Sequence, residues 1–427
     1  MNYYSFSRQV STWGIPALYA GIAFAAGLTI PRFESYAFPG LVSAMSMSSA
    51  TAIDSAIASG MIALTGVVFA LTFVMLQFSA TAYSPRLVAW IAQDPVISHS
   101  LGIFTATFLY AVAALSGIDR NGSGKVPFVS VWILIGLLLA SVAMFISLVQ
   151  RISLLQVTHM LIFTGDHGRR VITSLYPRAK SVAAGHGPES FRALPRTQTL
   201  LHQGKPRSIQ AVDQAALMKL VKNSDGIIEM IVSVGDTVVE MTPMLHVYGA
   251  RRPIVERELR AGIKIGDGRT FKQDPKYAIR LLVDIAIKAL SPAINDPTTA
   301  VQALDQIEDL LIRLGQRELE IGFFHDSEGR LRLVVPFPAW DDLLRLAFDE
   351  ICAYGGNSVQ VMRRMNALIS DLSSAVPEGR RHALRYWCAR IEATVARSFV
   401  DGEERVEASK EDRQGLGAPR SHSNGKP

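Results

Sequence analysis

Phe128-Val129-Ser130-Val131-Trp132-Ile133-Leu134-Ile135-Gly136-Leu137-Leu138-Leu139-Ala140-Ser141-Val142-Ala143-Met144-Phe145-Ile146-Ser147-Leu148-Val149 carries no ionisable side chain. It sits in a window of 25 residues between Lys125 and Arg151 that is free of Asp, Glu, Lys and Arg. About 20 apolar residues in a helix cross a hydrocarbon layer of ~30 Å, so this window is long enough. Lipid offers no partner to backbone N–H and C=O groups, so a spanning segment of this kind has to be helical. Three more windows precede it: 23 residues between Arg8 and Arg32, 31 between Asp54 and Arg86, and 24 between Asp94 and Asp119. Nothing after Arg151 resembles them. The expected fold is therefore membrane α-helical, with four transmembrane helices followed by a cytosolic α+β domain. The spans fall at about 13–30, 57–78, 98–115 and 128–149 of a transmembrane domain covering 1–150. A membrane-proximal helix and linker over 151–204, a cytosolic α+β domain over 205–400 and a disordered tail over 401–427 complete the expectation.

The charge distribution follows the same division. Of 43 basic and 37 acidic residues, only five and four fall in residues 1–150, so most of the net +6 lies after the last span. Those later charges are mixed in sign, which describes a solvated surface and excludes a dense nucleic-acid groove. Arg151, Arg169, Arg170, Arg178 and Lys180 follow the fourth span, whereas the loop after the first carries Arg32 alone. The positive-inside rule then places both termini in the cytoplasm. Two cysteines, Cys352 and Cys388, make no disulfide framework. The first apolar stretch ends at Ile30-Pro31-Arg32 with no small-x-small cleavage site, and reads as a retained helix.

The polar groups within the windows are hydroxyls and one amide, Gln77. They suit interhelical hydrogen bonds or the wall of a neutral pore. No carboxylate or lysine stands at membrane depth and His99 lies near an interface, so a proton-coupled carrier is not expected. Gln77, Ser79, Tyr83, Ser84 and Arg86, on and just after span two, are the candidates for pore lining or helix packing.

Beyond the linker, short extended runs (Ile209 to Val212, Gly226 to Val232, Asp236 to Val239, Leu245 to Tyr248) read as a β-rich part without a carrier lysine. Gln273-Asp274-Pro275 and Asn295-Asp296-Pro297 each set Asp at a helix N-cap and Pro at the first helical position. Each is followed by apolar residues at spacings of three and four, predicting an antiparallel helix pair. A hairpin around Asp326 to Gly329 and helices near 340–354, 358–372 and 380–399 follow. From Asp401 the chain is charged and poor in bulky apolar residues.

Several motifs together resemble the bacterial membrane-protein family known as domain of unknown function 2254. They include Gln77-Phe78-Ser79, Tyr83-Ser84-Pro85-Arg86-Leu87, Val234-Gly235-Asp236-Thr237-Val238 and Arg269-Thr270-Phe271-Lys272-Gln273-Asp274. The longest is Ala289-Leu290-Ser291-Pro292-Ala293-Ile294-Asn295-Asp296-Pro297-Thr298-Thr299-Ala300. The strand start at Arg207-Ser208-Ile209-Gln210 departs from the Ser-Gly-Tyr more usual there. The resemblance implies a bacterial inner-membrane location and this architecture, and brings no activity with it.

Within that word, Ser291, Pro292, Asn295, Asp296 and Pro297 form the second candidate site. An Asn-Asp pair between two helices could bind a cation or anchor a partner; capping of the following helix explains the same residues. His159, His167 and Asp166 lack metal-site spacing, Ser84 lacks a nucleophile elbow, and Gly266-Asp267-Gly268 is a turn signature without a following Gly-Lys. No metal, no cofactor and no catalytic constellation are expected. The functional expectation is an oligomeric, channel-like assembly in the lipid bilayer, regulated by its cytosolic domain. The alternative is a membrane-anchored scaffold or sensor that recruits partners without transport.

Overall fold

The computed structural model describes residues 14–37, 45–82, 95–116, 126–153, 157–178 and 189–417. The chain forms two compact units, Met1–Gln156 and Val157–Pro427.

Among the described residues of the first unit four helices are long and apolar enough to cross a membrane: α1 (Gly14–Ala37), α2 (Met47–Ala82), α3 (Pro95–Leu115) and α4 (Phe128–Ser153). α3 packs against the other three. Its membrane window is 56% buried, against 17–22% for the others, so α3 is the hub and its neighbours turn broad faces outward. α1 runs parallel to α3. Tyr19 meets His99, with its hydroxyl 3.2 Å from Nδ1, and Gly27 meets Tyr110 and Ala113 further along. A Cβ on Gly27 would lie 2.7 Å from that of Ala113, so only glycine permits this approach. Hydroxyls tie α3 to α4: Thr107 Oγ1 is 2.9 Å from Ser141 Oγ, and Tyr110 Oη is 3.1 Å from Ser130 Oγ.

Two spans run well past their charge-free windows, and α4 passes its own only by Arg151 to Ser153. α1 continues through Pro31 to Ala37, and α2 starts at Met47 instead of near Ile57. Ser46 accounts for the second difference, because its Oγ accepts the amide of Ser49 at 3.2 Å and caps the helix. Residues 47–56, ahead of the expected start of span two, are thus the opening turns of α2.

The second unit begins with α5 (Val157–Leu175), followed by a 3-10 turn (Glu189–Ala193). Its strands are β1 (Arg196–Leu201), β2 (Arg207–Val212), β3 (Ile227–Met230), β4 (Thr237–Val238), β5 (Pro243–Tyr248), β6 (Ile263–Gly266), β7 (Phe323–His325) and β8 (Leu331–Val334). They make a five-stranded sheet in the order β1-β5-β3-β8-β7 and a three-stranded sheet in the order β4-β2-β6. β1 lies in the stretch that reads as linker; it is a strand because it pairs antiparallel with β5, a partner remote in sequence. Both sheets share one apolar core with α6 (Gln214–Ser224) and α7 (Glu256–Ala261), centred on Leu217, Val221, Ile228, Val247 and Leu259.

The remaining helices are α8 (Pro275–Ala289), α9 (Pro297–Gly315), α10 (Trp340–Gly355), α11 (Val359–Ala375), α12 (Glu378–Ser398) and α13 (Gly402–Ser409). α8 packs on α9, α5 and α10, and α9 also packs on α11. β8 returns after α8 and α9 to pair in parallel with β3, which sews the helical and β parts into one unit. The chain beyond Asp401 is not a disordered tail over residues 402–417. α13 packs on α11 and α12, held where Arg363 pairs with Glu407 and Arg413 with Asp371. Residues 418–427 lie outside the described residues.

Candidate functional site

The Ser291 to Pro297 word forms the turn between α8 and α9. Its backbone groups are heavily engaged: Asn295 N donates to Ser291 O at 2.9 Å, and Asp296 N to Ala289 O at 2.8 Å. Asn295 adopts a left-handed conformation (φ 49°), which Asn tolerates better than most residues. Asp296 then caps α9, accepting Thr299 N at 3.1 Å and Thr299 Oγ1 at 2.5 Å, and Pro297 opens the helix. Ser291 Oγ donates to Lys288 O at 2.7 Å. Pro292, Ala293, Ile294 and Asn295 are exposed.

The Gln273-Asp274-Pro275 turn repeats the device in a buried setting. Gln273 is also left-handed (φ 54°), and its side-chain amide pairs both ways with the backbone of Val212. Asp274 is 1% exposed, accepts Tyr277 N at 3.1 Å and holds Arg269 at 2.8 Å. Gly235 (φ 95°) packs on this pair so closely that any Cβ would collide with the Asp274 carboxylate. Burial pushes the Asp274 carboxyl up, against the pull of Arg269. Two similar words thus give an exposed cap with spare surface and an enclosed cap with an ion pair.

In the membrane unit Gln77 is exposed on α2, and Ser79 lies on the same helix. Tyr83, Ser84 and Arg86 lie outside the described residues. The face that Gln77 belongs to is more informative than the residue alone. Ser48, Ser55, Ser59, Gly66, Ala70 and Gln77 recur at spacings of seven and four, so they form one stripe along the helix. All six are exposed, while Asp54, Ile57, Ala58, Met61 and Val68 pack inward on another face.

Two carboxylates that sequence reasoning misses sit inside this unit. Asp54 (2% exposed) marks the edge of a charge-free window and Glu34 (6% exposed) lies just past one, so both read as loop residues. Extension of α1 and α2 past those edges draws both into the bundle, where the start of α4 also lies. Glu34 accepts the amides of Val129 at 2.7 Å and Ser130 at 3.1 Å, capping α4 from another helix. Asp54 has no such partner: its Oδ1 is enclosed and makes no hydrogen bond among the described residues. A carboxylate within the packed bundle therefore corrects the expectation that none is present. Among the described residues no group of three or more His, Cys, Asp or Glu side chains could hold a metal ion.

Four apolar helices together with an α+β domain define a polytopic membrane protein. The chain belongs to the family described as "Predicted membrane protein (DUF2254)", which matches residues 9–371. An uncharacterized protein of Mycobacterium bovis is 26% identical over 411 residues, 93% of this chain and 78% of its own length. An uncharacterized protein of Mycobacterium tuberculosis strain H37Rv matches to the same extent, and one from strain CDC 1551 is 25% identical. No solved structure matches the chain.

Proposed function

We propose that this protein is a non-enzymatic, channel-like assembly of several copies in the bacterial inner membrane, with α2 of each copy facing a shared axis and the C-terminal domain in the cytoplasm controlling opening. The observation that carries the reading is the α2 stripe. Ser48, Ser55, Ser59, Gly66, Ala70 and Gln77 combine small size with hydrogen-bonding groups, and all are exposed on the bundle surface. Among the described residues no atom beyond the adjoining turns of α2 itself stands within 4 Å of where a Gly66 Cβ would be. Hydroxyl and amide groups gain nothing from acyl chains, whereas small residues let helices approach and neutral polar groups can line a water path. The rest of α2 presents Ile62, Val67, Phe69 and Phe73, which suit lipid.

The test combines subunit number with conductance. Disulfide trapping between copies carrying Ser59→Cys should give a cross-linked product, and Gly66→Leu should abolish it by forcing the helices apart. Gln77→Leu should alter conductance or ion preference in reconstituted bilayers. Protein that is monomeric in nanodiscs and silent under voltage, stretch and pH steps would leave a membrane anchor for cytosolic partners as the better reading.

A further inference from the structure

The enclosed carboxyl of Asp54 has no role in the packing just described. It sits on the inward face of α2, 2% exposed, flanked along that face by Ala50, Ile57, Ala58 and Met61. α3 and α4 both pack against α2. The charged and titratable groups around it are few. From α3 comes Tyr110, 1% exposed and close enough to feel both Asp54 and Glu34 electrostatically. From α1 comes Glu34, whose two oxygens are occupied by the first amides of α4. α4 contributes the Ser130 hydroxyl, 3.1 Å from that of Tyr110. No cationic side chain among the described residues acts on Asp54.

The two environments differ. Glu34 faces the first amides of α4, which satisfy both of its oxygens. Asp54 has an unpartnered oxygen and apolar neighbours. An isolated ionised carboxylate in such a place costs far more than a neutral one, unless a cation accompanies it. Carboxylates held in this way inside membrane bundles mark places where charge is taken up and released.

We propose that Asp54 is a proton-binding site of the membrane unit, neutral in the packed bundle and able to ionise only when α2 shifts to admit water. The step is a proton transfer alone: one O–H bond forms at the Asp54 carboxylate and one breaks in hydronium or a buffer acid. Loss of the proton then favours a hydrated, more open arrangement of α2 against α3. Asp54 binds its proton whether or not α2 lines a pathway, so failure of the channel reading leaves the site standing.

The experiment uses the full-length protein in lipid nanodiscs, followed by infrared spectroscopy from mildly acidic to mildly alkaline buffer. The wild type should show the C=O stretch of a protonated, desolvated carboxyl at the acidic end of that range. That band should shift when the protein is made with carboxyl-labelled aspartate, a measurement that needs no variant. Asp54→Asn should abolish it, and Tyr110→Phe should move its frequency or its titration midpoint. In the wild type, amide exchange over 47–61 should accelerate as the band is lost, and in Asp54→Asn it should become independent of pH. A band that persists in Asp54→Asn, or disappears in Asp274→Asn instead, would overturn the assignment. So would its loss on adding sodium or potassium at fixed pH, which would make the occupant a metal cation.

Discussion

Asp296 illustrates how a single residue can serve both architecture and surface. Its carboxylate oxygens are taken by the amide and hydroxyl of Thr299, so α9 begins there for a reason that needs no ligand. Asp296→Ala should lose a cap worth about 0.5–2 kcal/mol, read as a lowered thermal midpoint of the purified protein. Asp296→Asn should recover most of that loss, since its amide oxygen can accept the same N–H. If the Asn variant kept the midpoint but lost a response to a cation or a binding partner, the charge itself would be required. The cap is legible from Asp-Pro alone, because an N-cap followed by Pro is a local signal. Its counterpart at Asp274 is less so: Arg269 stands only five residues before it, but Gly235 closes on the pair through tertiary packing that leaves no local signal. Asp54 does not stand out for a related reason. A charge at the edge of an apolar window looks the same in sequence whether it faces water or the bundle.

At the scale of elements, the windows free of charge locate the four spans, since hydrocarbon admits little else. Where the helices extend beyond those windows, composition stops being a guide. The opening turns of α2 are rich in Ser, Ala and Thr, and a Ser46 cap makes them helical. α13 shows the same limit at the other end of the chain. Its sequence, Gly-Glu-Glu-Arg-Val-Glu-Ala-Ser, offers one bulky apolar side chain, Val406, and that one is exposed; the residue it buries is Ala408. Its position depends on Arg363, which donates from Nε to the Glu407 carbonyl at 2.7 Å and also pairs with the Glu407 carboxylate. Arg363→Ala should therefore release α13 without unfolding α11. Hydrogen exchange is expected to rise over 402–409 while staying protected over 359–375. Equal loosening of both helices would mean that α13 is part of the core it rests on.

For the whole molecule, an apolar part and a mixed-charge part are visible in composition alone, and the structure divides the chain into units at residue 156. The pairing of β3 with β8 is not readable in advance, because parallel pairing across three intervening helices leaves no local pattern. Topology across the bilayer is the whole-molecule property with the most direct test, and the two cysteines supply part of it. Cys352 is buried, and burial pushes its thiol up to about 12, so it stays protonated and unreactive near neutral pH. Cys388 is exposed and serves as the natural reporter of the C-terminal domain. If both termini lie in the cytoplasm, a membrane-impermeant maleimide should leave Cys388 unlabelled in intact spheroplasts and label it after permeabilisation. A cysteine introduced at Ser123, between the third and fourth spans, should be labelled before permeabilisation. The excess of Arg and Lys after Arg151 is what sets this expectation, through the cost of moving basic flanks across the membrane. The reverse labelling pattern would put the C-terminal domain outside the cell, and with it any partner that controls the bundle.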